Sequence, residues 1–230
     1  MSDTPSLEDQ VVLLTGSTGL MGRALTTALL DAGAKLALGV RRMANLPELE
    51  ELIVAQPDRT MIIPCDLRFE ANVVRLVHRV VNRYGRIDAI INAAAILGPQ
   101  NIIEDYPAEP WRDVIATNVT GPYLVCREAL PWMKRQGYGR IVNVTSQSPR
   151  EPKIGDGAYM IGNCAIEGFT RLLARELKNT NICVNCLDIG RMTTDVTPVA
   201  PPAEWLPAFL WLASKDVACS GERISYRDRQ

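Results

Sequence analysis

Short, almost unbroken apolar runs alternate along this chain with longer amphipathic stretches, and that alternation leaves few folds open to it. The runs Val11–Thr15, Lys35–Val40, Thr60–Cys65, Ile87–Asn92, Arg140–Thr145, Ile182–Cys186 and Arg223–Tyr226 read as strands. Most are apolar at consecutive positions, the mark of strands covered on both faces. The stretches Leu20–Ala32, Leu46–Ala55, Glu70–Arg83, Trp111–Arg135, Ala158–Leu177 and Ala203–Ser214 read as helices. Strand, helix, strand, repeated, requires a parallel sheet with helices on both faces. Right-handed crossovers then make it doubly wound. The expected fold class is α/β, a doubly wound parallel sheet of about seven strands. No linker divides it: the proline-rich Thr197–Pro202 reads as a loop before the last helix, and residues 1–230 read as a single domain.

A chain of 230 residues can bury a sizeable core. Its net charge of −1 supplies no basic field for nucleic acid or an anionic membrane, so neither is an expected partner. The longest apolar stretches, such as Ala89–Leu97, fall far short of the ~20 residues that a membrane helix needs. Met1–Gln10 is polar and acidic and does not read as a signal peptide. The six cysteines (Cys65, Cys126, Cys164, Cys183, Cys186 and Cys219) lie mostly in apolar runs and read as small buried hydrophobes in a reducing cytoplasm. Cys183 and Cys186 have a metal-like spacing, but no second pair accompanies them and no metal is expected. His78, the one histidine, sits in a polar helix, away from the strand ends where a nucleophile's base would have to stand.

The first strand leads into Thr15-Gly-Ser-Thr-Gly-Leu-Met-Gly22 and then a helix. Glycines at 16, 19 and 22 allow a tight turn, close approach of a phosphate and close helix–strand packing. The helix N-terminus offers free N–H groups and a positive dipole end to an anion. On this reading Gly16, Ser17, Thr18, Gly19, Leu20 and Met21 hold a dinucleotide's phosphates; the alternative is a glycine-rich turn with no ligand. The second strand ends Val40-Arg41-Arg42. An acid at Val40's place would bond the ribose 2′-hydroxyl of NAD, whereas a guanidinium suits a 2′-phosphate. NADP(H) is therefore favoured and NAD(H) is the second choice, unless Arg41 and Arg42 are a solvated pair at a helix entry. After the third strand, in Cys65-Asp66-Leu67, Asp66 either bonds the adenine amino group or caps the next helix. The fourth strand ends in Asn92-Ala93-Ala94, whose small alanine side chains leave room for a cofactor.

Together these residues resemble the short-chain dehydrogenase/reductase family in its single-domain, Rossmann-like form. The resemblance covers nearly the whole chain: Thr15–Gly22, Asp66, Asp88–Asn92, Asn118, Gly139–Ser146, Tyr159, Ala165–Leu177 and Val184-Asn185. It implies that Tyr159 is the general acid that protonates a carbonyl oxygen as hydride arrives, or the base in the reverse direction. Ser146 would orient that carbonyl. Asn118 would hold a helix kink and a water in the proton path. Ile189, Gly190, Met192 and Thr194 would contact the nicotinamide end. The resemblance further implies a small carbonyl or alcohol substrate, and a homodimer or homotetramer assembled through Trp111–Arg135 and Ala158–Leu177.

One position breaks the pattern. The family carries a lysine one helical turn after the tyrosine, where its ammonium favours tyrosinate and binds the nicotinamide ribose; this chain has Asn163. Asparagine can donate to a ribose hydroxyl but carries no charge. Losing the cation withdraws about one to three pKa units of support, on the order of 1.4 kcal/mol each. Reduction suffers less than oxidation, because a neutral tyrosine is already the acid required. The expected activity is an oxidoreductase favouring reduction. The alternatives are an attenuated binding or scaffold protein, and a non-redox lyase, isomerase or cyclase that uses Tyr159 as acid and base. Lys153 either supplies the missing charge or is a solvated loop lysine. Leu20 stands where single-domain members have glycine, Ala93 and Ala95 where they have asparagine and glycine, and Ile189 where they have proline. Only Asp195–Pro202 fill the place of the family's longer lid segment.

Overall fold

The computed structural model describes residues 5–43, 51–52, 54–191 and 199–229. Most of the helix expected over Leu46–Ala55 and part of the loop Thr197–Pro202 lie outside them. In chain order the elements are β1 (Val11–Thr15), α1 (Leu20–Asp31), β2 (Lys35–Val40), β3 (Thr60–Pro64), α2 (Glu70–Tyr84), β4 (Ala89–Asn92), α3 (Ala108–Ile115), α4 (Gly121–Gln136), β5 (Gly139–Thr145), α5 (Gly157–Glu176), β6 (Ile182–Asp188), α6 (Pro202–Ala213) and β7 (Arg223–Ser225). The strands form one seven-stranded sheet in the order β3-β2-β1-β4-β5-β6-β7, with every neighbouring pair parallel. This is the Rossmann-like α/β fold. β1 and β2 coincide with the sequence-predicted runs, and β6 extends past Cys186 to Asp188.

Alternating side chains explain why apolar runs were continuous. Val12 and Leu14 pack on one face with Leu25 and Leu29 of α1 and with Trp205 and Phe209 of α6. Val11 and Leu13 pack on the other with Leu76 and Val80 of α2, Val125 of α4 and Leu173 of α5. Each such aliphatic or aromatic side chain, fully buried, contributes ~1.5–3 kcal/mol, so both faces must be apolar for the sheet to sit between two helical layers. The cysteines are less uniform than expected. Cys65, Cys126 and Cys186 are buried, Cys183 and Cys219 are half-buried, and Cys164 is exposed on α5. Cys183 and Cys186 sit three apart on one strand and point to opposite faces: Cys183 reaches the Val217 carbonyl and Cys186 the Thr170 hydroxyl.

The helix expected over Trp111–Arg135 is two helices joined by a five-residue π turn, Ala116–Thr120. Asn118 lies in that turn. Its Oδ1 accepts the Ile96 N–H at 2.9 Å and its Nδ2 donates to the Ile96 carbonyl at 2.9 Å. The side chain thus satisfies both backbone groups of a residue beyond β4, and the wide turn swings it there.

The chain order places the functional surface. Connections from β1 lead to the β2 side of the sheet, and those from β4 lead to the β5 side. The strand order reverses between β1 and β4, whose ends are paired as Thr15 with Asn92. A crevice opens outside the carboxyl ends at such a switch point.

Candidate active site

A cleft occupies that crevice, with the loop after β1 as its floor. Gly16 turns there with φ +78°, and a Cβ on it would lie 2.7 Å from the Ala94 backbone. No side chain fits between the ends of β1 and β4. Gly19 is exposed, and a Cβ on it would meet no protein atom nearer than 3.7 Å. It precedes α1, which begins without a side-chain cap. The first N–H groups of α1 therefore stand unsatisfied beside open space at the positive end of a helix dipole, a setting that fits a phosphate. Thr18, Gly19, Leu20 and Met21 line the cleft with Gly16. Ser17 does not, contrary to expectation: it is fully buried behind the turn, and its Oγ has no partner among the described residues.

At the end of β2, Gly39 and Arg41 line the cleft, while Arg42 is exposed beside it. Cys65, Asp66 and Leu67 line the adjoining wall. Burial pushes the Cys65 thiol up to about 11, so it is not a thiolate nucleophile. The Asp66 carboxylate does not cap α2, which has no side-chain cap at Phe69, and instead accepts the Arg68 backbone N–H at 3.1 Å. It is also gripped by the Arg68 side chain, with Nη2 at 2.7 Å and Nε at 3.0 Å, and those hydrogen bonds hold it below the usual carboxylate range. The charge of Arg41 acts on Asp66 in the same direction. Asn92, Ala93, Ala94 and Ala95 form the opposite wall. Asn92 donates to Asn143 Oδ1 at 2.8 Å, which leaves its own Oδ1 buried without a partner among the described residues.

Tyr159, on the first turn of α5, closes the far end of the cleft at 5% exposure. It also lines a neighbouring cavity of about 350 Å³ walled by Leu97, Gln100, Ser146, Ser148, Lys153 and Arg191, among others. Among the described residues it alone lines both spaces. Burial pushes its phenol above the ordinary value, and hydrogen bonding with Ser146 and Asn163 pulls it back in part. Lys153 is exposed on the rim of this second cavity and makes no ion pair among the described residues. Asn118 lines a small inner cavity beside Tyr159 and Asn163.

Asn163 lines the cleft, and its amide is also held from within the protein. Its Nδ2 donates to the Tyr159 carbonyl at 3.0 Å and to Ser148 Oγ at 3.3 Å, and its Oδ1 accepts from Thr145 Oγ1 at 3.3 Å. The amide has two protons for three groups inside the protein, the Tyr159 carbonyl, the Ser148 hydroxyl and the Tyr159 phenol. One turn further along α5, Glu167 lies 3.1 Å from the same Thr145 hydroxyl and is gripped at 2.9 Å by both Nη atoms of Arg150. Sequence reasoning missed Thr145, Ser148 and Glu167. The signal for Glu167 was its place four residues after Asn163 on one helical stripe; the other two carry none. Ile189 lines the cleft, Gly190 lines the second cavity rather than the cleft, and Met192 and Thr194 lie outside the described residues.

Residues 10–205 match the family model for short chain dehydrogenase. The chain belongs to the short-chain dehydrogenase family. It is an oxidoreductase of that type. The short chain dehydrogenase adrF of Penicillium rubens is 30% identical to it over 199 residues, 86% of this chain and 76% of that one. The solved NADPH-dependent 3-quinuclidinone reductase of Rhodotorula rubra superposes with a TM-score of 0.86 at 27% identity, covering 97% of this chain and 91% of the other. A xylitol dehydrogenase solved with NAD+ bound gives 0.84 at 25% identity over 95% and 98%. In this short-chain dehydrogenase the Gly16 turn, the strand-end walls and Tyr159 line one cleft. No helix among the described residues is long and apolar enough to cross a membrane.

Proposed function

We propose that this short-chain dehydrogenase reduces a small carbonyl compound to a secondary alcohol with NADPH. The observation that carries the reading is the buried Tyr159 at the junction of cleft and second cavity, its phenol pushed above the ordinary value. A phenol that keeps its proton is the acid that reduction needs. Bound in the cleft, the nicotinamide cofactor supplies the hydride. Gly16, Thr18, Gly19, Leu20 and Met21 with the α1 N-terminus hold its phosphates, Cys65, Asp66 and Leu67 border the adenine end, and Asn92, Ala93, Ala94 and Ile189 flank the nicotinamide end. The unpartnered Oδ1 of Asn92 suits a hydroxyl donor there. Ser146 orients the substrate carbonyl, and Asn118 holds the wide turn beneath Tyr159.

One related structure holds NAD+ and another is of an NADPH-dependent reductase, so the choice of NADP(H) rests on Arg41. Its guanidinium stands at the cleft mouth with a buried valine, not an acid, before it, while Asp66 is already occupied by Arg68. Residues 1–230 act as one dinucleotide-binding oxidoreductase domain in the cytoplasm. The exposed Tyr123, Ile161 and Leu172 on α4 and α5 support a homodimer or homotetramer through those helices. Titration with NADPH and NADH, followed by nicotinamide fluorescence and then a panel of ketones and aldehydes, tests the reading. NADPH should bind about tenfold or more tighter, the worth of one charge-assisted contact. Binding of neither dinucleotide would sink the proposal.

A further inference from the structure

A hydrogen-bond chain links α5 to the loop after β5, and its direction is determined at one end. The Asn163 amide places an atom 3.0 Å from the Tyr159 carbonyl oxygen. A carbonyl oxygen only accepts, so the amide nitrogen must stand there. The amide oxygen is then the end that meets the Thr145 hydroxyl. With the amide so oriented, its second N–H donates to Ser148 Oγ. Ser148 then has its own proton to give to Ser146 Oγ, 2.8 Å away, and the Ser148 backbone N–H reaches the same oxygen at 3.2 Å. In that arrangement both lone pairs of Ser146 Oγ are taken, and its proton points away from Ser148 into the cavity that it shares with Tyr159. The opposite arrangement has Ser148 Oγ accepting from both Asn163 and Ser146, and the test below separates the two.

We propose that Ser148 is a positioning residue that relays the donor polarity of Asn163 to Ser146, so that Ser146 offers a hydrogen-bond donor to the substrate oxygen. This rests on the carbonyl-reductase reading above. A ketone oxygen accepts, and a Ser146 that only donates matches it; an incoming alcohol would have to give its own proton to an oxygen already filled. The uncharged Asn163 thus shapes the site for reduction through two serines, with no contact of its own to the substrate.

The test compares wild type, Ser148→Ala and Ser148→Thr. In the alanine variant Ser146 can turn among three staggered positions. Its kcat for carbonyl reduction should fall about three- to tenfold, less than the ~10²-fold that deleting such a donor outright costs, with KM for NADPH unchanged. Threonine keeps the hydroxyl and should restore most of the rate. Independently of turnover, the Tyr159 ionisation, read as phenolate absorbance against Tyr159→Phe, should move upward in Ser148→Ala and return in Ser148→Thr. The charged groups sharing its cavity, Glu151, Lys153, Asp156 and Arg191, are the same in every variant. A wild type that reduces no carbonyl, with the Tyr159 ionisation still moving, would overturn the functional reading and support the relay. An unmoved ionisation and kcat in Ser148→Ala, or no recovery with threonine, overturns the relay.

Discussion

The proposed phosphate end of the cleft is built of backbone, and the proposed catalytic end is built of side chains. At the first, Gly16, Gly19 and the start of α1 present N–H groups and empty space, with no side chain capping the helix. At the second, Thr145, Ser146, Ser148, Tyr159, Asn163 and Glu167 are tied together by hydrogen bonds of 2.8 to 3.3 Å. A backbone site is governed by room: it fails when an added atom has nowhere to go. A side-chain site is governed by the order of donors and acceptors: it keeps its shape and loses its chemistry when that order is disturbed. The two ends should therefore respond to substitution in separable ways.

The sharpest separation is Tyr159→Phe, which removes the acid and little volume. Carbonyl reduction should fall about 10²–10⁴-fold, while NADPH binding by fluorescence stays near wild type; an equal loss of both would show that the two ends are one unit. The same residue sets the pH profile. Its phenol is raised by burial above the ordinary value near 10. The protonated acid thus persists through neutral pH, and kcat should be level there and decline only as pH climbs past the raised value. A decline centred near pH 7 would assign the proton to another group.

Next in size is Gly16→Ala, which puts a methyl 2.7 Å from the Ala94 backbone at a left-handed turn. Thermal melting should report a loss of about 2–4 kcal/mol. Gly19→Ala is its control: the space is open, so stability should change by less than about 1 kcal/mol, yet NADPH should bind more weakly because the methyl enters the phosphate's approach. If both variants melted alike, steric room would not be what governs this end. The smallest effect is Arg41→Ala, expected to weaken NADPH about tenfold and leave NADH unchanged. Equal weakening of both would deny Arg41 its contact with the 2′-phosphate.

The same contrast explains what could be read in the residues alone. Glycine spacing reports backbone conformation directly, and the floor of the cleft followed from Gly16, Gly19 and Gly22. Spacing says where the chain turns but not where a side chain points: Ser17 turns inward and Arg42 stands outside the cleft, next to residues that line it. Strand limits were legible because burial on both faces writes itself as uninterrupted apolar letters. The break between α3 and α4 was not: apolar periodicity runs through it, and the cause is a clamp between Asn118 and Ile96, 22 residues apart. At the catalytic end, Ser146, Tyr159 and Asn163 could be recognised as types, whereas Ser148 and Thr145 acquire meaning only when the fold sets the loop after β5 against α5.

Asn163 is gripped on three sides, by the Tyr159 carbonyl, the Ser148 hydroxyl and the Thr145 hydroxyl. A lysine placed there could donate to the first two but would leave Thr145 without its amide acceptor and put a third cation near a glutamate that Arg150 already holds and Arg223 approaches at 3.6 Å. For a protein engineer the exchange is then no simple reversion. The route back through sequence space passes through positions 145, 148 and 163 together, and mutational coupling among those three, rather than any one variant's rate, measures how firmly the site has adopted an uncharged solution.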